Sequence, residues 1–85
     1  MDSATTLRVR YFAAARAAAG TSEDVVPAGL DLDGLVEELV ERRGEGLAAV
    51  LKVASFLVDG LAWRDRRAVL PAGVTVDVLP PFAGG

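Results

Sequence analysis

The chain has no cysteine and no histidine. Without cysteine there are no disulfides, no thiolate nucleophile and no cysteine-based zinc site. Without histidine the usual general base and the commonest metal ligand are missing, so no metal site is expected. Few enzymes can be assembled from the carboxylates, hydroxyls, arginines, backbone groups and chain termini that remain. A basic surplus is also missing. Nine basic residues stand against twelve acidic ones, a net charge of −3, which argues against nucleic acid as a partner because phosphate neutralisation needs a basic face. No apolar run approaches the ~18 residues of a membrane span. The alanine-rich run from Ala13 to Ala19 is broken by Arg16 and follows a strand-like segment, unlike a signal peptide. A cytoplasmic location with no membrane partner is the expectation. All but one of the basic residues are arginine, which reads as coding bias with no function attached.

What is present is a folding chain. Eighty-five residues, 52% hydrophobic and 25% charged, describe one globular domain with room for one core. Leu7-Arg8-Val9-Arg10-Tyr11-Phe12 alternates with period two, which predicts a strand with Leu7, Val9 and Tyr11 inward and Arg8, Arg10 and Phe12 outward. A short helix is expected over about Ala13–Ala19, ended by Gly20. Glu23-Asp24-Val25-Val26 reads as a short strand closed by the Pro27-Ala28-Gly29 turn.

Asp31 to Arg43 carries the strongest helical pattern. Leu32, Leu35, Val36, Leu39 and Val40 form one apolar stripe, with Asp31 or Asp33 to cap the start and Gly44 to stop the end. Glu37, Glu38 and Glu41 read as its wet face, and Glu38 and Arg42 are spaced for an i,i+4 pair. Leu47–Leu51 suggests one further turn. Ser55-Phe56-Leu57-Val58, Asp59-Gly60 and Leu61-Ala62-Trp63 read as a hairpin. Arg64, Arg66 and Arg67 are read as a solvated loop, with contact to acidic groups on a partner as the alternative. Val74 to Leu79 alternates again, with Val74, Val76 and Val78 inward and Thr75, Asp77 and Leu79 outward. Pro80-Pro81 ends that strand. The order implies an α+β domain with a largely antiparallel sheet, in which the first and last strands pair in parallel.

The tail Pro80-Pro81-Phe82-Ala83-Gly84-Gly85 carries the chemistry. Prolines favour an extended backbone that projects from the last strand. Two glycines without Cβ atoms fit a channel too narrow for side chains. The Gly85 carboxylate then becomes a group that a partner can activate as an acyl-adenylate, an electrophile open to a sulfide or an amine. At about 7% background glycine, a Gly-Gly ending arises by chance in roughly 0.5% of chains. A frayed end would tend toward Gly/Ser composition, whereas this tail is stiff before its glycines.

The ending Leu79-Pro80-Pro81-Phe82-Ala83-Gly84-Gly85 resembles that of the small, sulfur-carrier subunit of molybdopterin synthase, a MoaD/ThiS-like, ubiquitin-related family. Tyr11-Phe12-Ala13-Ala14-Ala15-Arg16-Ala17-Ala18-Ala19-Gly20 is similar to that family's strand-to-helix segment. Val58-Asp59-Gly60 resembles its usual Val-Asn-Gly hairpin, with aspartate for asparagine. The resemblance implies a β-grasp, ubiquitin-like fold, with a mixed sheet of four to five strands packed on one main helix over residues 1–79 and an extended tail over 80–85. It implies that Gly85 is adenylated with ATP by an E1-like activating enzyme and converted to a thiocarboxylate. Gly85 would then donate sulfur for the molybdopterin dithiolene inside the large synthase subunit. On this reading the protein is not catalytic by itself and binds no cofactor beyond the covalent thiocarboxylate. Gly84 would pass the channel, and Ala83, Phe82, Pro81, Pro80, Leu79, Phe12 and Trp63 would face the partner. The alternation independently puts Phe12 and Leu79 on the polar face, where clustered apolar residues suggest a partner surface. A slipped register or a covering loop would hide them. Trp63 has a second reading, as a core aromatic.

Three other functions remain open at this stage. One is a carrier for cysteine or thiamine thiazole synthesis; thiazole carriers tend to lack the helix after the first strand, so Ala13–Ala19 argues against them. Another is a ubiquitin-like modifier that joins Gly85 to a lysine amine. The last is an interaction module with an inert tail. The resemblance implies a heterotetramer of two small and two large subunits; the isolated chain is expected to be a monomer or weak dimer.

Overall fold

The structure, a computed structural model, describes residues 5–81. In chain order the elements are β1 (Thr6–Tyr11), α1 (Ala14–Ala19), β2 (Glu23–Pro27), α2 (Leu32–Arg43), α3 (Glu45–Val53), β3 (Ser55–Val58), β4 (Leu61–Ala62) and β5 (Thr75–Leu79). The five strands form one sheet in the order β2-β1-β5-β3-β4. β1 and β5 run parallel at its centre, and the other pairings are antiparallel. This is the α+β, β-grasp architecture expected from the sequence, including the parallel pairing of first and last strands.

The alternating strands bury one face as the pattern requires. Leu7, Val9 and Tyr11 of β1 and Val76 and Val78 of β5 are buried, and they meet Leu32, Leu35 and Leu39 from α2. Asp31 caps α2, its Oδ1 accepting the Gly34 N–H at 2.7 Å, which satisfies one of the free donors of the first turn. Val36 and Val40 are only half-buried and flank the leucine stripe.

Where one extra turn was expected, α3 is a full nine-residue helix that packs against α1 and α2. Gly44 and Gly46 on either side of Glu45 lower the local helix propensity and mask it in the sequence. Burial of Leu47 and Leu51 supplies what propensity does not. Two helices beyond the main one therefore cover the sheet's inner face.

Two turns with positive-φ residues follow β3 and β1. Asp59 (φ 47°) and Gly60 (φ 86°) both have positive φ, as a two-residue type I′ hairpin turn demands. Asp59 also accepts the Thr75 N–H through Oδ1 at 2.9 Å, which ties the hairpin to β5. The returning strand β4 has only two residues, but the Trp63 N–H still donates to the Phe56 carbonyl at 2.9 Å. At the opposite end of the sheet, Ala13 (φ 51°, ψ −124°) leads into α1. The Ala15 N–H donates to the Phe12 carbonyl across it at 3.0 Å. Such a type II′ geometry normally holds glycine.

Candidate functional site

The candidate site is the outer face of the sheet where β5 delivers the tail. Successive side chains on a strand alternate faces, so residues 8, 10 and 12 share this face with residues 75, 77 and 79. Tyr11 is in register with Val78, and the Phe12 N–H donates to the Val78 carbonyl at 3.3 Å. Phe12 thus extends the β1–β5 ladder beside Leu79. Both side chains are half-buried. On the other flank Leu79 pairs with Ser55, and Leu57 pairs with both Asp77 and Ala62. Phe12, Leu79, Leu57 and Ala62 therefore lie on one face around the exit of β5.

An ion pair braces this surface. Arg10 Nε donates to Asp77 Oδ1 at 2.8 Å and Nη2 to Oδ2 at 3.2 Å, a bidentate geometry that fixes both side chains. The hydrogen bonds Arg10 donates to Asp77 raise the Arg10 pKa further above its already high value. The Arg10 guanidinium also stands 5.3 Å from the Phe12 ring centroid, within cation–π range. Arg10 is exposed, so its contribution is positional: it holds the Phe12 ring and the β5 backbone in one frame.

Trp63 is placed differently from Phe12 and Leu79. Its register partner Phe56 points inward, and Trp63 packs half-buried against the core with its Nε1–H donating to the Asp65 carbonyl at 2.9 Å. It stands at the β4 edge, one strand beyond Leu57. Pro80 is half-buried and Pro81 exposed at the point where the chain leaves the sheet. Phe82, Ala83, Gly84 and Gly85 lie outside the described residues.

A buried polar cluster lies beneath β1. The Tyr11 hydroxyl donates to Asp24 Oδ2 at 2.7 Å, and Arg43 donates to the same carboxylate through Nε at 2.9 Å and through Nη2. The Arg43 hydrogen bonds, with a smaller one from Tyr11, hold the Asp24 carboxyl below its usual pKa despite burial. Burial first, and then the bond to Asp24, push the Tyr11 hydroxyl well above its ordinary value. The cluster locks the end of α2 to β1 and β2. Arg42 adds a bond from Nη1 to the Val25 carbonyl at 3.1 Å, which covers part of the β2 edge. Among the described residues, no group of three or more acidic side chains is gathered to hold a metal ion.

Sequence reasoning located Phe12, Leu79 and their shared face but missed Leu57, Ala62 and the Arg10–Asp77 brace. Alternation from the inward Phe56 and Val58 places Leu57 outward. The pairing of Arg10 with Asp77 depends on the β1–β5 register, which is not written locally in either strand.

Fold and sheet order together define a ubiquitin-like β-grasp domain whose last strand lies at the centre of the sheet. The chain belongs to the ThiS family, whose model matches residues 9–85, a family of ubiquitin-like sulfur carriers. Among solved structures, the putative molybdopterin converting factor subunit 1 of Pyrococcus furiosus is 25% identical at a TM-score of 0.72, over 92% of this chain and 99% of that one. The complex of subunits 1 and 2 of molybdopterin-converting factor from Helicobacter pylori contains a chain 26% identical at a TM-score of 0.70, over 94% of this chain and 99% of that one. The small archaeal modifier protein 1 of Methanosarcina acetivorans shares the fold, with a TM-score of 0.78 at 22% identity over 95% of this chain and 97% of that one. No protein of curated function matches the chain significantly.

Proposed function

We propose that this protein is the sulfur-carrying small subunit of a molybdopterin synthase, with the reactive sulfur held as a thiocarboxylate on Gly85. The observation that carries the reading is the family match running through residue 85 over a tail of two prolines, a phenylalanine, an alanine and two glycines. Support for this acceptor, over other sulfur acceptors, comes from two relatives at 25% and 26% identity named as molybdopterin converting factor subunits. One of them is in complex with subunit 2, which favours a large-subunit partner. The helix α1, at Ala14–Ala19, also speaks against a thiazole carrier.

In the proposed cycle an E1-like enzyme joins the Gly85 carboxylate to AMP, with pyrophosphate released from ATP. A sulfide donor then displaces AMP and leaves the thiocarboxylate. The outer face around Phe12, Leu57 and Leu79 docks on the partner, while Pro80 and Pro81 aim the tail and Gly84 and Gly85 enter its channel. This chain supplies position and the acyl carbon; catalytic groups come from the partners.

Intact-mass spectrometry after incubation with a candidate activating enzyme, ATP and a sulfide source tests the carrier reading. Exchange of one carboxyl oxygen for sulfur, mapped to Gly85 and absent after Gly85 deletion, is the expected result. An unmodified mass with every candidate activating enzyme overturns it. The molybdopterin reading then requires that the thiocarboxylated protein, mixed with the large subunit and precursor, lose its sulfur and yield the dithiolene product. Sulfur retained there, but lost to a cysteine- or thiazole-forming enzyme, reassigns the acceptor.

A further inference from the structure

A second surface lies at the β4 edge, where strand pairing stops after two residues. An open groove of about 270 Å³ runs there between the start of α2, the end of α3 and the β3–β4 hairpin. Leu32, Phe56, Leu57 and Trp63 form its apolar lining, and Arg64 and Arg66 are its charged members. The Trp63 ring is held by its bond to the Asp65 carbonyl, so the lining is preformed.

The charges around this groove are unevenly satisfied. Arg66 pairs with Asp33 at 2.6 Å. Asp65 accepts the backbone N–H groups of Arg67 and Ala68 at 3.0 and 3.2 Å. Among the described residues Arg64 and Arg67 therefore have no acidic partner, although both are exposed on a protein of net charge −3. A fixed aromatic beside an unpaired guanidinium at a short strand edge suits an extended chain with an apolar side chain next to a carboxylate.

We propose that this groove binds an extended acidic segment of a partner protein, with an aliphatic side chain seated on Trp63 and a carboxylate paired with Arg64. The inference takes up the partner-facing reading of Trp63 and Arg64 and adds the chemistry of the occupant; it does not depend on Gly85 chemistry. Through Leu57 and Ala62 the groove adjoins the outer face, so one partner can span both surfaces.

Trp63 is the chain's single tryptophan, so its emission reports on the groove directly. The probe is an acetylated hexapeptide, Glu-Asp-Leu-Asp-Val-Glu, titrated into the full-length protein, beside the same peptide with Gln and Asn in place of Glu and Asp. The expected result is a saturable change in Trp63 emission with the acidic peptide, weakened by added salt. Affinity should fall about tenfold or more in Arg64→Glu, and a similar deficit is expected for the amide peptide. Arg64 is exposed, so the far-ultraviolet circular dichroism of Arg64→Glu should match the parent; Arg64→Gln, with a smaller loss, is the second variant. The proposal is overturned by an emission change that does not saturate, by equal binding of the amide peptide, or by undiminished affinity in both Arg64 variants. It is also overturned if deletion of residues 82–85 changes Trp63 emission without any peptide, because the chain's own tail would then be the occupant.

Discussion

The Tyr11 hydroxyl donates to Asp24 Oδ2 at 2.7 Å, and the same carboxylate is gripped by Arg43 from the end of α2. Tyr11 is 1% exposed, so water cannot replace the bond. Tyr11→Phe should cost about 1.5 kcal/mol, the usual range for a hydrogen bond to a charged group, with the fold retained. Urea unfolding followed by circular dichroism measures it.

The same cluster sets two pH limits. The pKa of Asp24 is lower folded than unfolded, chiefly because of the Arg43 bonds. Its stabilisation is complete above the ordinary value of about 4 and lost as pH falls through the folded value. The Tyr11 pKa is raised, first by burial, so its contribution is complete below about 10 and lost as pH rises beyond that. Urea midpoints across pH should drop at both ends. Asp24→Asn should flatten the acid arm, and Tyr11→Phe the alkaline one.

Ala13 occupies a type II′ corner at φ 51°, ψ −124°, a geometry that strains any residue with a Cβ. Relief of strain worth about 1–3 kcal/mol outweighs the roughly 0.5–1 kcal/mol entropic cost of glycine. Ala13→Gly should therefore raise stability by about 1 kcal/mol, or roughly 4–8 °C in Tm for a domain this size. A calorimetric scan that shows a lower Tm would reject the strain argument.

Asp59 has φ 47° and accepts the Thr75 N–H. Asparagine keeps both the left-handed tolerance and the acceptor, so Asp59→Asn should stay within about 0.5 kcal/mol of the parent. Asp59→Ala loses both and should cost about 1–2 kcal/mol. The difference between the two variants under denaturant isolates the turn.

Phe12 and Leu79 stand side by side on the outer face, and the proposed function makes this the docking surface. Phe12→Glu and Leu79→Glu should each weaken binding to the large subunit by about thirtyfold or more, in the range of interface hot spots (about 2 kcal/mol or above). Calorimetric titration measures the affinity, and circular dichroism checks the fold. Unchanged affinity in both variants would move the interface elsewhere.

Most of the fold was legible because periodicity writes burial directly into the chain. Leu7, Val9 and Tyr11 alternate inward, and Leu32, Leu35 and Leu39 recur at helical spacing, so neither needed tertiary information. The helix α3 was less legible because Gly44 and Gly46 contradict it locally, and burial of Leu47 and Leu51 decides the matter. Phe12 and Leu79 were readable as outward-pointing apolar residues. The Arg10–Asp77 brace, the Tyr11–Asp24–Arg43 cluster and the Trp63 groove were not, since each joins segments far apart in sequence through register and helix docking.

The position of β5 also decides what joins the two halves of the sheet. β2–β1 and β3–β4 are each local ribbons, and only β5, the last strand, joins them. Arg10 and Asp77 are 67 residues apart, so this pairing closes a long loop and carries its entropic cost. Without β5 the sheet is two separate ribbons, and the segment that leads into the tail has no fixed base. A partner that reads the outer face and the tail together would thus be blind to unfinished chains, and the topology itself would serve as proofreading.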